Sequence, residues 1–285
     1  MALTELKQRL HSHLIEIVRE RDPYLATEGH FYVQQYIHRQ LEQWGTVESC
    51  EFKIQARTHV NLLLKLPAQT GLSTQPPIIL GAHYDAVPGT PGADDNATGV
   101  AALLELARSL AQQPARYPIQ LIAFDLEEYG MLGSQDYAQA LFQAQQPVRL
   151  MLSLEMLGYC SQEPNSQRYP SPLLKAIYPN QGNFIGLIGN LPTLPDLLHL
   201  SHHIRRAGVP SRWLPAGMKG QILQATRLSD HSPFWDRGYR AIMVTDTAFM
   251  RNPHYHQASD RIETLDLDFL TGTCLGLIRG LQTLK

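Results

Sequence analysis

Cysteine, long apolar runs and an excess of one charge are all scarce in this chain. Its 285 residues include three cysteines, at positions 50, 160 and 274. An odd number at such spacing forms no zinc-knuckle or CxxC motif and fits a reducing compartment. No apolar run approaches the ~20 residues of a membrane span. The formal net charge of −2, with both signs mixed throughout, argues against nucleic acid or a membrane surface as a partner.

The N-terminal stretch is charged and amphipathic. Apolar residues recur there at helical spacing, namely Leu3, Leu6, Leu10, Leu14 and Ile17. A signal peptide needs an uninterrupted apolar segment, so we do not expect export by that route and predict a cytoplasmic protein.

Short apolar runs alternate with helical patterns over most of the chain. Buried strands are predicted from Ile78 and at 118–126, 148–156, 184–188 and 240–246, with helices at 3–21, 30–44, 98–112, 132–146, 193–207 and 266–282. The alternation predicts an α/β fold in one domain over 1–285, with a mixed, mostly parallel sheet flanked by helices on both faces.

Less regular segments accompany this pattern. Two strand-like runs lie between residues 47 and 66, and the polar turn at 69–77 is of the kind that joins antiparallel strands. Segments near 159–183 and 213–229 are loop-like insertions, which we expect to form the rim of a pocket.

The central stretch at 78–99 carries an unusual set of polar residues. His83 and Asp85 follow its strand, and Asp94 and Asp95 come just before a helix. Strand side chains alternate, so Asp85 lies on the same side as His83 and can orient its ring for a metal. Asp94 is predicted to be a carboxylate that bridges two cations, and Asp95 to be a helix N-cap. The set predicts a metal site.

Acidic residues also follow the next two predicted strands. Glu127 and Glu128 come after 118–126, and Glu155 lies in an apolar strand end. Burying such groups costs several kcal/mol unless cations or donors pair with them. One glutamate of the pair is expected to bind metal while the other accepts a proton from water. An exposed acidic loop, or an ion pair between Glu155 and Arg149, remains the alternative.

Three C-terminal histidines, His231, His254 and His256, are candidates to complete a second metal site. Spacing alone does not choose among them, and a core histidine with a backbone partner is an equal alternative for each.

Five motifs in order resemble the co-catalytic zinc aminopeptidase family, which also contains the glutaminyl cyclases. They are GAHYDAVPGTPGADDNATGVAALLELAR, AFDLEEYGMLGS, LEMLGY, SDHSPFWDRGYRAIMVTDT and NPHYHQASD, within residues 77–271. The resemblance implies the zinc-exopeptidase, phosphorylase/hydrolase-like version of the α/β fold and two Zn²⁺ ions per chain. It also implies that His83, Asp94 and Glu155 hold one ion, while Asp94, Glu128 and His256 hold the other.

The resemblance also implies the remaining roles. Glu127 matches the general base, Asp85 the acid that orients the histidine ligand, and Tyr255 a hydroxyl donor to the oxyanion. Asp95 matches a residue after a strained, often cis, peptide bond. Glu155 departs from the many family members that carry aspartate at this position.

The expected activity is removal of the N-terminal residue from a peptide or aminoacyl substrate by water activated at two metals. A one-zinc glutaminyl cyclase, a silent binding protein, and a carboxypeptidase or deacylase on the same fold are the alternatives. The sequence does not indicate an oligomeric state.

Overall fold

The computed structural model describes residues 3–69 and 71–285. Its eight strands are β1 (Val47–Ile54), β2 (Arg57–Leu66), β3 (Ile78–His83), β4 (Ile119–Phe124), β5 (Leu150–Glu155), β6 (Ile185–Asn190), β7 (Ser211–Ala216) and β8 (Ala241–Thr245). The α-helices of this part are α1 (Leu3–Ile17), α2 (Thr27–Glu42), α3 (Gly99–Gln112), α4 (Leu132–Gln143), α5 (Pro172–Ile177), α6 (Leu194–Arg206), α7 (Ser232–Asp236) and α8 (Leu267–Thr283).

The strands form one mixed sheet in the order β1-β2-β4-β3-β5-β8-β6-β7. The central strands β4, β3, β5 and β8 run parallel, β1, β2 and β6 pair antiparallel with their inner neighbours, and β7 pairs parallel with β6. A single α/β domain with a mixed sheet is therefore confirmed.

Alternation along the strands divides the core between the two faces of the sheet. Leu62 and Leu64 pack with α1, α2, α3, α6 and α8 on one face, while Leu63 packs with α4 and α7 on the other. Period-two alternation sends neighbouring leucines to opposite sides. The predicted helical layers on both faces are confirmed.

The polar residues of the central strands lie at one edge of the sheet. Because β3, β4 and β5 are parallel, their carboxyl ends meet there, and His83 and Glu155 are the last residues of β3 and β5. Ligands bind at this edge in open α/β sheets.

Some local predictions differ from the structure. β4 lies between β2 and β3, so the turn near 69–77, whose residue 70 is outside the described residues, does not join paired strands. Helix α1 ends at Ile17, and the short helices α5 and α7 were not predicted. No helix of 3–69 and 71–285 combines the length and apolarity needed to cross a membrane.

Candidate metal centre

His83 lies at the end of β3 among carboxylates. Its Nε2 atom is 3.3 Å from Asp95 Oδ1 and 3.6 Å from Glu155 Oε2. Its other nitrogen, Nδ1, is 3.4 Å from Asp85 Oδ1. Asp85 therefore lies on the Nδ1 side of the ring, and Asp95 and Glu155 lie on the Nε2 side.

His256 approaches the same carboxylate from the opposite side. Its Nε2 atom is 3.1 Å from Asp95 Oδ2 and 3.4 Å from Glu128 Oε2. Asp95 thus presents one oxygen to each histidine, which is the arrangement of a carboxylate shared between two metal sites. Three groups of residues have ligand atoms within 4.8 Å of one another. Two share Asp95, namely His83, Asp95 and Glu155, and Asp95, Glu128 and His256, and the third is His83, Glu127 and Glu128.

The structure contradicts the predicted position of Asp94. Its Oδ1 accepts a hydrogen bond from the Gly158 N–H at 2.8 Å, and its Oδ2 accepts one from Asn252 Nδ2 at 2.7 Å. Successive side chains leave the backbone in different directions, so only one of the two aspartates faces the histidines. That one is Asp95. The cis peptide bond, which was expected before Asp95, instead joins Asp95 to Asn96. Asp95 therefore faces the histidines and is not the helix N-cap that was expected.

Two further acids fix the backbone around the cluster. Asp85 accepts hydrogen bonds from the Glu127 and Glu128 N–H groups, each at 3.1 Å. Asp260 accepts from the N–H groups of Asp94 at 2.9 Å and Asp95 at 3.1 Å. The role of Asp260 was missed, although this residue ends the NPHYHQASD motif on which the resemblance partly depends.

Glu155 is held by a hydroxyl from the SDHSPF segment. Ser229 Oγ donates to Glu155 Oε2 at 2.7 Å, and Ser153 Oγ is 2.7 Å from the same hydroxyl. The alternative of an ion pair with Arg149 is not observed, because Arg149 pairs with Asp196 instead. The longer glutamate therefore reaches the cluster in a fixed orientation.

Glu127 lies beside His83 without belonging to either shared group. Its Oε2 atom is 4.0 Å from His83 Nε2, and its side chain is 14% exposed. Burial, and then the carboxylates of Glu155 and Glu128, raise the pKa of Glu127 well above its usual range. A carboxylate in this environment is suited to accept and return a proton.

The cluster carries excess negative charge unless cations or protons are present. Burial lowers the pKa of His83, but Glu127 and Glu155 outweigh it and raise the pKa well above its ordinary value. Burial and Asp95 raise the pKa of Glu128 to about 7. Buried acids and histidines at this spacing are typical of a metal site.

Several buried atoms of the cluster lack a hydrogen-bond partner among the described residues. They are both ring nitrogens of His83, Nε2 of His256 and Oε1 of Glu128. Orphaned buried polar atoms are rare and require an explanation. Divalent cations between imidazole and carboxylate ligands would satisfy the two Nε2 atoms and Glu128 Oε1, while His83 Nδ1 faces Asp85, so the donor set fits zinc.

Of the three candidate histidines, only His256 lies in the cluster. His231 donates through Nε2 to the Thr226 carbonyl at 2.8 Å, and His254 Nδ1 is 2.9 Å from Ser259 Oγ. Tyr255 stacks on His256 with ring centroids 3.7 Å apart. Burial, and then Asp95, raise the pKa of Tyr255 above its usual value, so its phenol stays protonated and can donate.

The buried His231 predicts a pH-dependent stability. Burial lowers the pKa of His231 to about 4, below the ordinary histidine value of 6.5. Its contribution is present above pH 6.5 and is lost as pH falls through 6.5 towards 4. We expect the wild type to lose about 2 kcal/mol more unfolding free energy than His231→Gln between pH 7 and pH 5. Urea denaturation at both pH values checks this, and equal losses would contradict it.

The fold and the cluster define a class of protein: an α/β protein that carries buried acids and histidines in metal-site spacing at the edge of its sheet. The model of peptidase family M28 matches residues 61–181. The uncharacterised protein YfbL of Escherichia coli (strain K12) is 36% identical over 230 residues, which cover 76% of this chain and 70% of YfbL. The chain belongs to peptidase family M28.

A second relative is similar over a shorter span. Aminopeptidase YwaD of Bacillus subtilis (strain 168) is 39% identical over 97 residues, or 34% of this chain and 21% of YwaD. The match thus spans about a fifth of YwaD. The residues matched by the family model contain every member of the cluster except His256.

Solved structures agree with the fold. The LapA aminopeptidase of Legionella pneumophila has a TM-score of 0.74 at 20% identity, over 99% of this chain and 74% of that one. A glutaminyl cyclase of Porphyromonas gingivalis has a TM-score of 0.69 at 18% identity, over 98% and 97%. At these identities the likeness shows the fold, which peptidases and cyclases share.

Proposed function

We propose that this protein is a zinc-dependent aminopeptidase that removes the N-terminal residue of peptides. The observation that carries the proposal is the position of Asp95, which presents one carboxylate oxygen to each of two histidines while Glu127 lies beside them in neither of the groups that share Asp95. A two-metal hydrolase needs a shared ligand and a separate proton acceptor.

Two zinc ions are proposed, one held by His83, Asp95 and Glu155 and the other by Asp95, Glu128 and His256. Bound zinc lowers the pKa of water and polarises a carbonyl. Asp85 orients His83 from the Nδ1 side and fixes the backbone of the two glutamates, so that the ligands are placed before metal binds.

Proton transfer is assigned to Glu127. Glu127 lies 4.0 Å from His83 Nε2 and outside the two groups that share Asp95, so its carboxylate is free to take a proton from the attacking water and return it to the leaving amine. Tyr255, stacked on His256, donates its hydroxyl to the oxyanion of the tetrahedral intermediate. The free α-amino group of the substrate lies at the acid-rich edge near Glu155, which favours cleavage at the amino end.

The substrate's first side chain is proposed to bind in a small apolar cavity of about 60 Å³. Its lining comes from the predicted insertion 159–183, from 184–188, from 212–226 and from 247–250, and includes Tyr169, Tyr178, Trp213 and Met250. Thr226, also in the lining, lies three residues before Ser229, which contacts Glu155. Phe234 and Trp235 are not part of it, because both are core residues.

A glutaminyl cyclase is the second candidate, favoured by the Porphyromonas gingivalis structure in the same fold. Cyclisation needs only one metal to polarise an amide. The two groups that share Asp95 favour the peptidase over the cyclase.

The test is hydrolysis of a panel of substrates by zinc-loaded and chelator-treated protein. We expect release of the chromophore from leucyl and phenylalanyl anilides, loss of release with chelator, and recovery with zinc. Acidic first residues and N-acetylated substrates should react poorly. Ammonia release from a glutaminyl peptide without cleavage would select the cyclase, cleavage of blocked substrates a deacylase or carboxypeptidase, and absence of bound zinc a binding protein.

A further inference from the structure

Arg21, in the segment between α1 and α2, is completely buried. Its Nε donates to the Tyr84 carbonyl at 2.9 Å, and one terminal nitrogen donates to Pro91 at 2.5 Å. The other terminal nitrogen donates to Gly92 at 2.8 Å and Asp95 at 3.1 Å. A contact to its neighbour Arg19 O at 3.3 Å completes the set, so all five guanidinium donors meet carbonyls.

Four of these carbonyls belong to the loop that carries the cluster. Tyr84 lies between His83 and Asp85, and Asp95 is the shared carboxylate. The guanidinium therefore joins the end of β3 to the residue that both groups share. The fit is close, since a Cβ on Gly92 would lie 2.8 Å from both terminal nitrogens of Arg21.

The charge of Arg21 is also unusual. Among the described residues, Arg21 forms no ion pair, so its guanidinium has no carboxylate oxygen within 4 Å. Burial lowers the pKa of Arg21, whereas Asp95 and Asp260 act on it at longer range and raise it. Burying an arginine whose donors bind only carbonyl oxygens costs folding free energy. We therefore expect such an arginine where the backbone that it fixes is part of a functional site.

We propose that Arg21 is a positioning residue that sets the spacing between His83 and Asp95, and thereby the joint occupancy of the two zinc groups. This inference depends on the proposed function. Arg21 lies outside residues 61–181, which the family model matches, so the N-terminal segment contributes to the centre from outside that span. Lysine in its place keeps the charge but offers three donors in a different geometry.

The test compares wild type, Arg21→Lys and Arg21→Gln with the control Arg149→Lys. Arg149 pairs with Asp196 and the Lys285 carbonyl, away from the cluster. Zinc content after dialysis, zinc affinity by chelator competition, and the zinc-induced shift in Tm are measured. We expect both Arg21 variants to bind zinc at least tenfold more weakly and to show a smaller zinc-induced shift, while the control matches wild type.

A purely structural role would lower the Tm of the metal-free and zinc-loaded forms equally and leave zinc affinity unchanged, which would overturn the inference. Failure of both Arg21 variants to fold even with saturating zinc would overturn it as well. A wild type without bound zinc overturns the proposed function and this inference together. If the wild type binds two zinc ions and the Arg21 variants bind zinc with the same affinity, this inference alone is overturned.

Discussion

Glu127→Gln is expected to keep both zinc ions and to lose hydrolysis by about 10²–10⁴-fold, the range that a positioned general base contributes. Glutamine keeps the size of the side chain but accepts no proton at neutral pH. Glu127 belongs to neither of the groups that share Asp95, so zinc binding should be unaffected. Zinc content and kcat/KM on leucyl anilide measure the two effects separately.

A matched control for this variant is Glu42→Gln on α2. Its side chain is 65% exposed, near His38, and its removal should leave both readouts at the wild-type level. Substantial turnover by Glu127→Gln with normal zinc content would remove Glu127 from its role. A simultaneous loss of zinc would instead make Glu127 a ligand.

Asp95→Asn is expected to abolish joint zinc binding, whereas Asp94→Asn should keep it. Loss of a group that only orients a ligand typically costs 10–100-fold in affinity, so loss of a carboxylate shared by two ions should cost more than about 100-fold. Asp94 faces Gly158 and Asn252, and asparagine keeps its size and one carbonyl oxygen. Elemental analysis and chelator competition distinguish the two variants.

The opposite outcome, normal zinc content in Asp95→Asn and loss of zinc in Asp94→Asn, would restore the assignment that the sequence suggested. Thermal unfolding of both metal-free variants shows whether either substitution damages the fold. We expect a modest loss for Asp94→Asn, because that carboxyl accepts two buried hydrogen bonds.

The sequence predicted the architecture because each element has a strong local pattern. The short apolar runs of β3 and β4, bounded by proline and glycine or acids, favour buried strands, and the acids after β3 and β4 mark the same edge of the sheet. The prediction that β2 and β3 are paired neighbours in the sheet was wrong. A polar turn indicates that the chain reverses, but the strand that inserts between them is remote in sequence.

What the sequence by itself determined was the chemistry: one strand-end histidine, acids after three strands and a general-base candidate at Glu127. The spacing left the C-terminal histidine open, and the family resemblance pointed to His256. Only the tertiary structure decided which of Asp94 and Asp95 faces the histidines, and that Asp260 and Arg21 hold the loop. Neighbouring aspartates are identical in type, and local sequence does not set their directions. Their directions depend on side chains from segments more than 70 residues away: the Arg21 guanidinium donates to the Asp95 carbonyl, and the Asp260 carboxylate accepts from the Asp95 N–H.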